Sequence, residues 1–249
     1  MVLPADWFKD WFNSPYFHKL YNNGKGEETE KFIQLLLQRL NPPPGAYILE
    51  AGCGRGTHAK LLADAGYQVT GVDIAYDTIA YAKQSESPNL HFYQHDLRLP
   101  FWMNYFHYAF NFFTSFGYYK SEREHYNAIR TISNSLKADG IFVLDYLNVH
   151  YAEDHLVHQS EKNTGDVNFV LTKWFDETHF YKKIEVEDEQ REEPLVFQEK
   201  LMKFSLGDFT DMFAFHQLQI QEVYGSYEFA SYDIKKSPRL IMIAKKISR

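Results

Sequence analysis

The sequence has one cysteine and lacks several motifs whose absence narrows its function. Cys53 alone cannot form an intrachain disulfide, which fits a reducing compartment, so we expect a soluble, cytoplasmic protein. No apolar run approaches the roughly eighteen residues of a membrane span, and we expect no membrane association. The 11 histidines form no HExxH pattern and no Cys/His ligand spacing, which predicts that the protein holds no metal.

A surplus of basic residues is also missing. Lys and Arg number 26 against 33 Asp and Glu, which gives a net charge of −7, and the basic residues do not cluster. Nucleic-acid backbones attract clustered Lys and Arg, so we expect no nucleic-acid partner. The chain of 249 residues is 45% apolar and can bury a core as one domain with an insertion. Its aromatic content of 17% suggests either an aromatic-lined pocket or aromatic packing around a sheet.

The stretch YILEAGCGRG at residues 47–56 has the pattern of a buried strand followed by a ligand-binding turn. Its short apolar run ends in Glu50, and three glycines follow at alternate positions, namely Gly52, Gly54 and Gly56. The pattern is neither the P-loop GxxxxGK[ST] nor the dinucleotide fingerprint GxGxxG. A carboxylate before the loop suits a cofactor that carries an ammonium and a sulfonium. The alternative is a strand-to-helix turn that needs glycine only for packing, and we interpret Cys53 as a packing residue there.

Two further carboxylates stand at the ends of predicted strands. VTGVDI at 69–74 ends in Asp73, about twenty residues after the loop, where a strand-tip carboxylate can accept both hydroxyls of a ribose. LHFYQHDL at 90–97 carries Asp96, which can accept an amino proton of adenine while Leu97 covers the ring. Either aspartate alone is more often a surface or capping residue. The order Glu50, Asp73, Asp96 is what favours a cofactor site.

With EAGCGRG, GVDI and QHDL in this order, the chain resembles the class I S-adenosylmethionine-dependent methyltransferases over nearly its whole length. The resemblance implies a Rossmann-like α/β fold with a doubly wound, seven-stranded, mainly parallel sheet, an antiparallel C-terminal strand and a small antiparallel β insertion. It implies S-adenosyl-L-methionine as the cofactor. The cofactor-binding residues that we predict on this basis are Glu50, Gly52, Gly54, Gly56, Asp73, Ile74, Asp96, Leu97, Phe113 and Tyr21.

The same pattern predicts three segments. Residues 1–150 hold N-terminal helices and the cofactor-binding core, and 205–249 hold a helix and the closing strand pair. Residues 151–204 are predicted to form an antiparallel β insertion that roofs the substrate cavity, with strands over 167–175, 179–187 and 195–204. In the core we predict strand four over 108–113, strand five over 141–144, and a helix from a capping box at Ser121 to about Lys137.

A leading helix with tyrosines lies over the cofactor in related methyltransferases. By that resemblance Tyr16 and Tyr21 are candidates to reach the methionine carboxylate, and Lys25 is a candidate to pair with it. The alternatives are plain packing for both tyrosines and a solvated charge for Lys25. Arg239 is a candidate cavity residue, with a surface position at a strand start as its alternative.

The catalytic groups are harder to predict, because methyl transfer from a sulfonium demands mainly alignment. His150 and Tyr118 are our candidate catalytic residues, with His95 and His107 as further possible bases. The predicted reaction is in-line methyl transfer to O or N of a small-molecule acceptor. The alternatives are methylation of RNA or protein, or a non-catalytic S-adenosylmethionine-binding module. The absence of an Asn/Asp-Pro-Pro-aromatic motif after strand four disfavours an amide or exocyclic base nitrogen as acceptor.

Overall fold

A computed structural model describes residues 7–21 and 26–247. Its strands, numbered along the chain, fall into two sheets. The large sheet contains β1 (Tyr47–Ala51), β2 (Gln68–Asp73), β3 (Leu90–Gln94), β4 (Phe106–Asn111), β5 (Leu136–Leu147), β10 (Leu218–Tyr224) and β11 (Arg239–Lys246). The small sheet contains β6 (Gln159–Asn163), β7 (Val167–Phe175), β8 (His179–Asp188) and β9 (Leu195–Met202).

The large sheet has the strand order β10-β11-β5-β4-β1-β2-β3. Neighbouring strands from β5 to β3 pair in parallel, whereas β11 is antiparallel to both β5 and β10. The predicted fold class is therefore confirmed, including the antiparallel C-terminal strand. Because the parallel strands share one direction, the carboxyl ends of β1, β2, β3, β4 and β5 meet at a single edge of the sheet.

Helices cover both faces of this sheet, which explains why its central strands are apolar on both sides. They are α3 (Gly26–Leu40), α4 (Thr57–Asp64), α5 (Tyr76–Ala82), α6 (Glu122–Ser135) and α8 (Leu206–Phe215). On one face Phe32 and Leu62 belong to the same buried cluster as the strand residue Ile48. On the other face Ile132 and Met212 belong to the same buried cluster as Phe142. Ser121 begins α6 with the predicted capping box, in which its side chain accepts from the Glu124 backbone N–H.

The small sheet lies within the predicted insertion, in the antiparallel order β6-β7-β8-β9. Its apolar face packs against α1 (Trp7–Asn13) and α2 (Pro15–Tyr21), with Trp11 and Leu20 in one buried cluster with Phe169 and Ile184. The sequence analysis missed β6 because its residues, QSEKN, are all polar. Since β6 pairs only with β7 at the sheet edge, it needs no apolar face.

Several predicted boundaries are wrong by a few residues. The third strand ends at Gln94 and not at Leu97, so Asp96 follows the strand rather than ending it. The fifth strand extends over Leu136–Leu147, and a short helix that we did not predict, α7 (Val149–Asp154), follows it. Within residues 7–21 and 26–247, no helix is long and apolar enough to cross a bilayer.

Candidate functional site

A cavity of about 810 Å³ opens at the carboxyl edge of the large sheet. This volume lies in the range of about 300–1,000 Å³ that is typical of small-molecule sites. Its floor is the glycine loop and the neighbouring strand ends, and one wall is the loop after β4. The small sheet and helices α1 and α2 form the opposite side, which we call the roof, and residues from all three parts line the cavity.

The three glycines of the loop have different roles. All three have positive φ, at 75° for Gly52, 54° for Gly54 and 80° for Gly56, a conformation that side chains disfavour. Gly52 and Gly54 line the cavity. Gly56 does not, and a Cβ added there would lie 2.4 Å from Cζ of Phe92. The structure therefore gives Gly56 a packing role below the loop instead of the predicted place at the cofactor.

Glu50 is the penultimate residue of β1, lines the cavity and is only 1% exposed. Its Oε1 lies 2.9 Å from Nδ1 of His58 on α4. Its Oε2 is buried and has no hydrogen-bond donor among the residues that the structure describes. A buried carboxylate oxygen without a donor is unfavourable, so this atom is suited to accept from a cationic ligand.

Asp73 lines the cavity from the end of β2, as predicted. Its Oδ2 accepts from the Gly54 backbone N–H at 3.0 Å, and its Oδ1 accepts from the Ala75 N–H at 2.9 Å. Burial raises the pKa of Asp73, and these backbone donors oppose the rise. A carboxylate offers about four lone-pair sites, so about two remain for a ligand. The next residue, Ile74, also lines the cavity.

Asp96 is not among the cavity residues, and its carboxylate is engaged by Arg98. Arg98 donates from Nε to Oδ1 of Asp96 at 3.0 Å and from its NH2 group to Oδ2 at 2.6 Å, and it also reaches Glu124 at 2.8 Å. These hydrogen bonds, opposed by burial, hold the pKa of Asp96 below its usual value. Leu97 lines the cavity, whereas Asp96 does not.

The loop after β4 is held in place by a buried carboxylate on β5. Asp145 Oδ2 accepts from the Phe113 N–H at 2.8 Å, and Oδ1 accepts from Arg239 Nε at 2.8 Å. Arg239 also donates to Oγ1 of Thr114 at 2.9 Å. Phe113 and Thr114 both have positive φ, at 53° and 59°, which non-glycine residues adopt only where their surroundings hold them. Phe113 and Arg239 both line the cavity, so Arg239 is not the surface residue of the alternative interpretation.

The roof contributes a hydrogen-bond network centred on Glu199 of β9, which is 7% exposed. Its Oε1 accepts from Trp11 Nε1 at 2.7 Å and from the Tyr21 hydroxyl at 2.5 Å, and Lys182 donates to Oε2 at 2.7 Å. Lys182 also donates to the Tyr21 hydroxyl. The network ties the N-terminal helices to the small sheet. Tyr21, Lys182 and Glu199 all line the cavity, as predicted for Tyr21.

Of the two candidate catalytic residues, the structure brings only Tyr118 to the cavity. Tyr118 lies against the rings of Trp7 and Phe12, with ring centroids 6.1 and 5.3 Å away, and burial raises the pKa of its phenol far above the usual value. The predicted position of His150 is wrong, because α7 begins directly after β5 and places this residue outside the cavity lining.

The two further histidine candidates lie at different edges of the large sheet. His95 lines the cavity, with its Nε2 3.1 Å from the Leu99 carbonyl oxygen. His107 lies at the opposite edge of the sheet, where its Nδ1 accepts from the Tyr47 N–H at 3.0 Å. Of these two histidines, His95 alone therefore lies where a base could act.

The two other N-terminal candidates for the methionine carboxylate are not supported. Tyr16 donates to Asp188 Oδ2 at 2.6 Å and is not among the cavity residues. Lys25 lies outside the described residues. A cavity residue that the sequence analysis missed is Arg55 in the glycine loop, whose guanidinium stacks 4.4 Å from the centre of the Tyr81 ring. Its Nε is buried without an acceptor in the described chain, which gives the floor a donor available to an anionic ligand group.

His18 and three roof residues were also missed. His18 on α2 lines the cavity 3.2 Å from Oγ1 of Thr78, and burial, with Arg55 nearby, lowers its pKa to about 4. Lys173, Lys182 and Glu199 continue the inward-facing positions of their strands. The alternation along β7 puts position 173 on the inward face, but it does not indicate that a lysine there lines a cavity. No group of three or more His, Cys, Asp or Glu suited to a metal occurs in the part of the chain that the structure describes.

Comparison with known proteins finds similarity to methyltransferases over part of the sequence. Residues 48–140 match the model of a methyltransferase domain family. A putative methyltransferase of Geobacillus sp. strain WCH70 is 27% identical over 154 residues, which is 61% of this chain and 62% of that protein. The chain thus spans less than two thirds of that relative's length.

Solved structures resemble the chain over nearly its full length. An S-adenosylmethionine-dependent methyltransferase from Clostridium acetobutylicum has a TM-score of 0.77 at 16% identity, covering 94% of this chain and 96% of its own. A sugar N-methyltransferase from Streptoalloteichus sp. has a TM-score of 0.70 at 15% identity, covering 94% and 92%. At such low identities, the likeness establishes the fold.

Proposed function

We propose that this chain transfers a methyl group from S-adenosylmethionine to an oxygen or nitrogen of a small molecule, because residues 48–140 match a methyltransferase domain model and the fold resembles that of a solved S-adenosylmethionine-dependent methyltransferase. The observation that carries the proposal is the extent of the cavity. A single space runs from the glycine loop and Asp73 to the roof residues Lys173 and Glu199. It has room beyond the predicted cofactor residues, as an acceptor requires.

The residues on the cavity floor fit S-adenosylmethionine. Glu50 offers a buried oxygen without a donor, which suits the ammonium of the methionine end, and Arg55 offers a buried donor for the carboxylate of the same end. Asp73 has lone pairs left for the two ribose hydroxyls. Because the cofactor's amino-acid end is a zwitterion, it needs an acceptor and a donor close together, which the free Oε2 of Glu50 on β1 and Nε of Arg55 in the glycine loop can supply.

The cofactor supplies an activated methyl group on a sulfonium. The protein has to bind the cofactor and the acceptor, align them, and exclude water from the site. The roof network around Glu199 holds the N-terminal helices over the cavity, and three aromatic side chains of these helices, Phe8, Phe12 and Phe17, line it. Burial raises the pKa of Tyr118, so its phenol stays protonated at neutral pH and serves to orient an acceptor rather than to remove a proton.

A small acceptor is favoured over a macromolecule. The net charge of −7 opposes binding of a nucleic-acid backbone, and residues of the small sheet line the cavity opposite the glycine loop, which limits the room for a large acceptor. The sugar N-methyltransferase with a similar fold supports a small molecule, and nitrogen is one of the two acceptor atoms that we propose.

The direct test is a screen for transfer of labelled methyl groups from S-adenosylmethionine to a metabolite library, with total RNA and denatured protein as separate acceptor pools. We expect label in at least one small molecule and none above background in either macromolecular pool. Label that appears only in RNA or protein contradicts the proposed acceptor class. Cofactor binding without transfer to any pool points to a non-catalytic module.

A further inference from the structure

One cation on the roof, unlike its neighbour Lys182, has no ion-pair partner among the described residues. Lys173 on β7 lines the cavity and is half-buried. Its ammonium has no hydrogen bond, ion pair or aromatic ring contact within residues 7–21 and 26–247. Of the other cavity cations, Lys182 pairs with Glu199 at 2.7 Å, and Arg239 pairs with Asp145 at 2.6 Å.

The register of the small sheet explains why Lys173 has no partner of its own. Lys173 faces Lys182 across the β7–β8 pair, and Lys182 faces Glu199 across the β8–β9 pair. Glu199 is the only carboxylate of this cross-strand row, and it is already bonded to Lys182, Trp11 and Tyr21. Two ammonium groups and one carboxylate leave the row with a net charge of 2 − 1 = +1.

An unpaired ammonium in a partly buried position is costly, and buried charges in proteins are normally paired. Burial and the neighbouring Lys182 lower the pKa of Lys173, and the charge of Glu199 opposes this shift without cancelling it. Because the net charge of the protein is −7, this cation at the cavity wall does not belong to a generally basic surface. It attracts an oxyanion and disfavours a cationic ligand.

We propose that the methyl acceptor carries an oxyanion, as a carboxylate or a phosphate, which the ammonium of Lys173 binds on the roof of the cavity. The inference rests on the proposed small-molecule methyl transfer. Lys173 is then a specificity residue, because it binds an anionic group of the acceptor that takes no part in the methyl transfer. The floor of the cavity, with Glu50 and Asp73, is left for the cofactor.

The test is a titration of the full chain, saturated with S-adenosylhomocysteine, with inorganic phosphate and separately with acetate at low ionic strength. We compare wild type, Lys173→Gln, Lys173→Arg and the control Lys183→Gln. Lys183 lies on β8, its side chain is not among the cavity residues, and it pairs with Glu185 at 2.9 Å, so the control removes the same charge from the same sheet. We expect saturable binding of at least one anion in wild type and in the control. Lys173→Gln is expected to bind it about tenfold more weakly or worse, and Lys173→Arg to retain most of the affinity.

The outcomes separate the two proposals. Absence of S-adenosylhomocysteine binding refutes the cofactor site and with it the proposed function. Normal S-adenosylhomocysteine binding without anion binding, or with equal anion affinity in wild type and Lys173→Gln, overturns the role of Lys173 alone. An equal loss in Lys173→Gln and Lys183→Gln also overturns it, because the effect is then one of overall charge. Thermal melting of each variant without ligand shows whether the small sheet is still folded.

Discussion

Replacing Asp73 by alanine tests the geometry of the cofactor site most specifically. Its two carboxylate oxygens each accept one backbone N–H, from Gly54 and from Ala75, and about two lone pairs remain for the ribose hydroxyls. Removing a charged acceptor from buried hydroxyls costs about 1–3 kcal/mol, so we expect Asp73→Ala to raise the Kd for S-adenosylmethionine about 5- to 150-fold.

The assay is calorimetric titration of wild type, Asp73→Ala and a matched control, Asp77→Ala. Asp77 lies four residues further on, is exposed, and is not among the cavity residues, so its removal changes the net charge equally. Asp73→Ala also leaves two backbone N–H groups without an acceptor, and we expect the ligand-free protein to melt at a lower temperature. Equal affinities for wild type and Asp73→Ala, in a folded variant, refute the assignment of Asp73 to the ribose.

Three further predictions concern the loop and the core. Gly56→Ala is expected to destabilise the fold by about 2–4 kcal/mol, through backbone strain and contact of the new Cβ with Phe92. Gly54→Ala, whose Cβ meets no protein atom within 4 Å, is expected to cost about 1–2 kcal/mol of stability but to weaken S-adenosylhomocysteine binding about tenfold. Urea unfolding and calorimetry check this pair, and the reverse pattern contradicts it. Arg55→Met is expected to weaken cofactor binding more than Arg55→Lys, and equal calorimetric affinities of both variants and wild type argue against this role. Burial lowers the pKa of His125 to about 4, below the value of about 6.5 in an unfolded chain. The folded protein therefore loses stability as the pH falls from 6.5 to 4, by up to about 3 kcal/mol, because the unfolded chain takes up the proton first. Urea unfolding at pH 7 and pH 5 should therefore show a smaller loss for His125→Phe than for wild type, and an identical loss in both proteins counts against this explanation.

The floor of the cavity could be predicted from the sequence because its residues are close together in the chain. A short apolar strand, a charged end and alternating glycines specify a strand, a turn and a helix locally. Asp73 then follows from the next strand, since parallel strands deliver their carboxyl ends to one edge. These signals placed Glu50, Gly52, Gly54 and Asp73 correctly at the cavity.

The insertion was predicted over 151–204, but the charged residues that it presents to the cavity were not, because their positions depend on how the insertion folds over the sheet. Lys173 and Glu199 are polar residues at inward-facing positions, where the pattern alone indicates apolar side chains. That these residues lie at the cavity wall follows from the tertiary structure and not from the local sequence.

Two predicted positions failed for local reasons. Asp96 is followed two residues later by Arg98, whose guanidinium engages both carboxylate oxygens. His150 follows β5 as predicted, but the turn into α7 takes it away from the cavity lining. In both cases the sequence placed the residue near the end of the expected strand. Whether its side chain reaches the cavity was decided by an ion-pair partner for Asp96 and by the local turn for His150.

The central claim is that the cavity at the carboxyl edge of the sheet binds S-adenosylmethionine. Calorimetric titration of the full wild-type chain with S-adenosylmethionine tests it directly. We predict saturable binding of one cofactor molecule per chain, with S-adenosylhomocysteine competing for the same site. A folded protein that releases no saturable heat with either compound contradicts the claim.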